Sequence, residues 1–276
     1  MQQFTNTFSF LLSVALTLVL VSLFVSCDTI EKGNYLTHVE LPEAKKKVLI
    51  EDYTGMKCPN CPSAASTIDS LKKNYGDNIV AVSIHAGVYA KPSGIFVKDF
   101  RTEAGTIYNS NFSIDAYPSG LVNRTTYHNK TKLDYSELNG AVIQQIAQES
   151  QLGIKITNHW NENNRNIEVI LDIPIYKEIT DELKLQVWLV EDSIIAPQVN
   201  GSAIENNYIH KHVFRDALNG TWGEDLTGVS KNAVLSRIVK YELPISYVSN
   251  NCSIVAFIYL TKDKSVIQVN ELKLKN

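Results

Sequence analysis

Apolar and polar positions change rhythm twice along this chain. Residues 4–26 (FTNTFSFLLSVALTLVLVSLFVS) are predominantly apolar and carry no acid or base. Further on, Val48–Tyr53 and Ile79–Ile84 are short apolar runs, and between them Ala65, Ile68 and Leu71 recur at helical spacing over Pro62–Tyr75. Strand, helix and strand in that order predict a parallel βαβ unit with a right-handed crossover. After His85 the pattern loosens. It leaves a short helix near Phe100–Tyr108, a strand at Leu121–Asn123 with TTYHNK as a weak partner, and a helix at Ser136–Gln148.

From Leu152 the period becomes two. Ile154, Ile156 and Trp160 alternate, NENNRN turns the chain, and Ile167, Val169, Leu171 and Ile173 alternate back. Leu183, Leu185, Val187 and Leu189 form another such row, with Lys184, Gln186 and Trp188 on its other face. Ile254–Leu260 and Val266–Leu274 predict a final hairpin around Lys262-Asp263-Lys264, whereas 193–232 reads as an irregular link packed over one end. The fold class expected is therefore an α/β domain over 47–150, followed by an all-β, immunoglobulin-like sandwich over 152–276.

The ends refine this picture. An apolar N-terminal run closed by a small residue is expected to be an export signal (1–26), with an uncleaved membrane anchor as the alternative. Phe24-Val25-Ser26-Cys27 resembles the lipobox of bacterial lipoproteins, which implies lipidation at Cys27 and a tether over 27–46. The formal charge is −3, with no basic cluster interleaved with aromatics, so nucleic acid is not an expected partner. Of the four cysteines, setting Cys27 aside leaves Cys58, Cys61 and Cys252. Cys252 opens an apolar run and reads as a small buried hydrophobe.

The chemistry thus falls on Met56-Lys57-Cys58-Pro59-Asn60-Cys61-Pro62. A C-x-x-C pair serves as half of a zinc site, as a structural staple or as a redox couple. A zinc site needs four ligands, and no second close pair of cysteines is present; His210 and His212 lie in the expected β domain. The redox reading draws on context: a strand and turn precede the pair and a helix follows. Cys58 is expected in the first helical turn, where free N–H groups and the helix dipole favour a thiolate, with Cys61 one turn deeper. Pro59 suits that first turn. Asp52, six positions upstream on the first strand, reads either as a buried proton acceptor or as a strand-end acid reaching solvent. His85 reads as a core or rim histidine, and His210, Lys211, His212 and Arg215 as structural.

KVLIEDYTG followed by CPNC, the strand–helix–strand order and the later YPSGLVN before a strand together resemble the thioredoxin superfamily. That resemblance implies a cis peptide before Pro118, facing the active-site disulfide, with Tyr117 tuning its redox behaviour. It also makes residues 87–113 an insertion beside the site. The lipobox, EDYTGMKCPNCPSA, AYPSGLVNR, HKHVFRDALNGTWGE and CSIVAFIY further resemble the outer membrane protein 28-related lipoprotein family of Gram-negative bacteria. This implies an outer-membrane location, periplasmic or surface-facing, and a thioredoxin-like domain ahead of the β domain.

The resulting expectation is an exported lipoprotein with thiol–disulfide oxidoreductase-like activity on cysteine-containing proteins or peptides, needing no metal or organic cofactor. Cys58 is assigned as nucleophile, Cys61 as resolving thiol, Pro118 as substrate platform and Asp52 as buried base. The alternative is a non-catalytic surface binding or adhesion lipoprotein in which Cys58–Cys61 is a permanent staple.

Overall fold

The computed structural model describes residues 45–275. The expected signal segment, the lipidation at Cys27 and nearly all of the tether lie outside the described residues. Among the described residues no helix is long and apolar enough to cross a membrane.

The chain opens with strand β1 (Val48–Thr54), helix α1 (Cys61–Tyr75) and strand β2 (Ile79–His85). β1 and β2 pair in parallel from Val48↔Ile79 to Thr54↔His85, as the sequence pattern predicts. Both strands are buried almost throughout, which is why they read as continuous apolar runs rather than alternating ones. A short helix α2 (Gly87–Ala90) and helix α3 (Glu103–Asn111) follow, the latter capped by the Thr102 hydroxyl accepting from the Gly105 N–H. Strand β3 (Ser119–Val122) then pairs antiparallel to β1, and helix α4 (Leu138–Ile146) follows it. TTYHNK forms no strand; only an isolated Tyr127–Lys130 bridge marks it.

The remaining elements are strands: β4 (Lys155–Asn161), β5 (Asn166–Pro174), β6 (Leu183–Glu191), β7 (Ile194–Asn200), β8 (Ala203–His210), β9 (Val213–Ala217), the short β10 (Glu224–Asp225), β11 (Val234–Glu242), β12 (Cys252–Leu260) and β13 (Val266–Lys273). The largest sheet has the order β13-β12-β6-β9-β2-β1-β3, with β10 attached to β6. It therefore runs through the expected 150/152 boundary, and residues from both sides belong to one compact unit. β11, β5 and β4 form a separate three-stranded sheet.

β6 and β12 explain the layering. Leu185, Val187, Leu189, Ile254, Ala256 and Ile258 pack with the alternating residues of β4 and β5 into one core. The opposite faces of the same two strands, with Trp188, Val190, Val255 and Phe257, pack with Leu49, Val80, Val82 and Tyr108 into a second. At the seam the buried Arg124 guanidinium pairs with Glu51 at 2.8 and 3.0 Å. The rings of Phe112, Trp188 and Phe257 lie 5.0–5.7 Å from its central carbon. The Asn123 side chain is held in the same region, accepting from the Leu49 N–H, while its backbone carbonyl accepts from Val266.

The segment 193–232, expected to be irregular, instead carries β7 to β10. β7 and β8 form a hairpin on their own, closed by Gly201-Ser202, with Gly201 at φ +59°. This hairpin positions the site.

Candidate functional site

Cys58 and Cys61 are joined in a disulfide. The helix begins at Cys61 with Asn60 as its N-cap and Pro62 in its first turn. This corrects the expected arrangement: Cys58 lies in the turn before the helix, its N–H bonded to the Gly55 carbonyl, and Cys61 holds the helix N-terminal position. Both prolines suit a first turn, and only the backbone decides between them. Gly55 is needed where it stands, since a Cβ there would meet the Tyr89 backbone carbon at 2.5 Å. The Lys57 N–H donates to the Tyr89 carbonyl, so α2 closes one side of the loop.

The β7–β8 hairpin covers the other side. Gln198 Nε2 donates to the carbonyls of Cys58 (3.0 Å) and Gly55 (3.3 Å). The Val199 and Gly201 N–H groups donate to the carbonyls of Met56 and Pro59. Met56, Phe96, Phe100, Ala196 and Val213 form a small apolar cluster there. Lys211 Nζ clips the far end of β8 to Asp69 on α1 at 2.6 Å. Under this roof Cys58 is 0% and Cys61 3% exposed.

Between α1 and β8 opens a cavity of about 530 Å³. Asp52, Cys61, Asp69, Gln198, Tyr208 and His210 contribute to its walls, and Cys58 does not. Asp52 is buried beside Ser83, its register partner on β2. Burial pushes its carboxyl up to about 7, against a smaller downward pull from the Ser83 hydroxyl. Of the two sequence readings, the structure places it as a buried acid. His85 and His210 face each other with ring centroids 5.5 Å apart. Burial takes His210 down to about 4, and burial together with His210 and Arg215 holds His85 well below the usual histidine range. Both imidazoles are thus neutral near pH 7. Among the described residues no three His, Cys, Asp or Glu side chains converge on a metal-binding arrangement.

The Tyr117–Pro118 peptide is cis. Pro118 immediately precedes Ser119, the partner of Tyr53 near the end of β1, so it stands beside the strand that leads into the cysteine loop. Tyr117 donates its hydroxyl to Asn109 on α3 at 2.5 Å. Cys252 is a buried free thiol, pushed up to about 12 mainly by burial. The sequence pattern does not single out Gln198 or Tyr208 for the site, and it marks His210 as structural. The signal that finds their hairpin is the Gly-Ser pair after Asn200, a two-residue turn between segments of strand composition.

The family described as outer membrane protein Omp28 matches residues 106–276. No curated protein matches the chain. Among solved structures, HBP35 of Porphyromonas gingivalis aligns with a TM-score of 0.67 at 14% identity, over 86% of this chain and 76% of that one. A protein from Agrobacterium tumefaciens aligns with a TM-score of 0.53 at 13% identity, over 85% and 97% respectively. A domain of the outer membrane lipoprotein Omp28 from P. gingivalis is 24% identical over 46% of this chain and 89% of that one, with a TM-score of 0.34.

Proposed function

We propose, from the premise that the chain belongs to the Omp28 family of outer membrane proteins, that it is a lipid-anchored thiol–disulfide exchange protein acting at Cys58–Cys61. The family gives the outer-membrane location. The exchange reading is carried by one observation: the disulfide and a buried carboxyl, Asp52, meet at the same cavity. A carboxyl with a proton affinity near neutrality is suited to accept and return the proton of a thiol. The thioredoxin-like reading of residues 47–150 is supported by the parallel β1–α1–β2 unit and by β3 entering antiparallel through cis Pro118. Cys58 and Cys61 form the couple, Asp52 serves as proton acceptor and Pro118 as the platform for a cysteine-bearing substrate. Lipidation at Cys27 is the anchor in this reading.

The second reading, a binding lipoprotein stapled by the same disulfide, is favoured by the burial of both cysteines under the hairpin. The reduction potential separates the two. Native protein equilibrated in glutathione buffers is expected to show a reduction potential well above about −300 mV, whereas a structural staple resists reduction down to below that value. Thiols that stay oxidised and unreactive throughout would establish the staple.

A further inference from the structure

Resting on the exchange reading, we propose that Cys61, not Cys58, is the sulfur that meets substrate, and that the substrate is a low-molecular-weight thiol or disulfide, cysteine- to short-peptide-sized, entering the cavity between α1 and β8. Three independent features place the reaction there. The cavity wall includes Cys61 and excludes Cys58. The carbonyls flanking Cys58 are bonded by Gln198, Val199 and Gly201, so the hairpin closes the route by which a folded protein surface would reach that residue. The helix starts at Cys61, so the unpaired N–H groups and dipole of a 15-residue helix favour a thiolate on Cys61.

The size of the cavity sets the substrate class. About 530 Å³ falls within the range of small-ligand sites, roughly 300–1,000 Å³. A folded protein presenting a disulfide would have to displace the β7–β8 hairpin first. Polar groups from Asp69, Tyr208 and His210 line the space and suit the amide and amino groups of an amino-acid thiol.

The exchange balances without another reactant. In the dithiol form, the Cys61 thiolate attacks one sulfur of a small disulfide RSSR, forming Cys61–S–S–R and releasing RS⁻, which takes a proton from water. Cys58 then gives up its proton to the hydroxide left by that step and attacks the Cys61 sulfur, restoring Cys58–Cys61 and expelling the second RS⁻, which is protonated in turn. RSSR is reduced to two RSH, and the protein dithiol is oxidised to the disulfide. The reverse sequence oxidises RSH.

The test uses the whole mature chain with glutathione as probe. Wild-type protein is exposed briefly to reduced glutathione, quenched in acid, and the mixed disulfide located by peptide mass mapping. The adduct is expected on Cys61. In parallel, Cys58→Ser is expected to be modified by oxidised glutathione about tenfold or more faster than Cys61→Ser, and the wild-type dithiol to reduce oxidised glutathione while leaving insulin essentially unreduced. An adduct on Cys58, or insulin reduced as fast as oxidised glutathione, overturns the proposal while leaving exchange intact. A disulfide inert to glutathione and to dithiothreitol in the native protein overturns both. The wild-type mapping decides the matter even where a serine variant does not fold.

Discussion

Asp52 is buried with a hydroxyl for company and, among the described residues, no cation paired with it, and its proton affinity follows from that. Its folded pKa lies near 7, above the ordinary 3.8, so between about pH 4 and 7 the folded chain holds a proton that the unfolded chain has released. The stabilising effect of that proton is complete below pH 4 and lost as pH rises through 7. His210 works in the opposite sense: its pKa is depressed to about 4, so its contribution is present above pH 6.5 and lost as pH falls towards 4. Asp52→Asn isolates the first effect. Its stability relative to wild type should grow from pH 4 to 7 and then level off, by at most about 4 kcal/mol for a shift of roughly three units. Urea midpoints at pH 4.5, 6, 7 and 8 measure this. A difference that is flat across that range would show that Asp52 titrates normally. The residue scale is also where the sequence was most readable: C-x-x-C, an acid on the preceding strand and Tyr-Pro before a later strand are local patterns, and their positions need no knowledge of the rest of the chain.

At the scale of elements, the hairpin decides how the disulfide behaves. An isolated two-stranded ribbon is marginal in water, and among the described residues β7–β8 pairs with no other strand. It stays in place through Gln198, the backbone bonds to Met56 and Pro59, the Lys211–Asp69 pair and the apolar cluster around Phe96 and Phe100. Gln198→Ala removes the side-chain donor while leaving the backbone bonds. A net loss of about 1 kcal/mol for each of its two hydrogen bonds to the cysteine loop predicts that the roof opens roughly thirtyfold more often. Reduction of the native disulfide by dithiothreitol should accelerate by the same factor, with the main unfolding transition shifted by only a few degrees. An unchanged reduction rate would mean that the hairpin does not limit access. This element was hard to read because its strands are exposed or half-buried over much of their length, so IIAPQVN and AIENNYIH lack the apolar alternation that marks a strand packed on a core. β11 escaped for the same reason: only Val239 of its nine residues is buried. By contrast, α1 and β5 bury a regular set of positions and β2 is buried nearly throughout, and a helical period, an alternation and a continuous apolar run mark them in turn.

On the scale of the molecule, β6 and β12 hold the two halves together. Each is buried on both faces, one against β4 and β5, the other against β1, β2 and α3. The alternation of Leu185, Val187 and Leu189 marks one face and puts Gln186 and Trp188 on the other, without saying what covers it. In fact Trp188 is fully buried, its indole N–H donating to the Tyr108 hydroxyl across the seam. Which partner covers a strand's second face is a non-local fact, and no pattern within one segment carries it. The consequence is testable by cutting the chain where the period changes. A fragment of residues 45–150 would expose the β2 edge that β9 covers, and would leave Leu49, Val80, Val82 and Tyr108 without Trp188, Phe214 and Phe257. It would also strand the Glu51–Arg124 pair, whose cation lies over rings supplied by the other half. Exposure of that much apolar surface, together with charges stripped of their enclosure, is incompatible with a stable fold. The fragment should therefore lack near-ultraviolet circular dichroism and a cooperative thermal transition, while residues 45–276 should unfold in one transition followed identically by tryptophan fluorescence and far-ultraviolet circular dichroism. A fragment that melts cooperatively, or an intact chain with two separated transitions, would mean that the seam is a contact between independent domains and not a shared core.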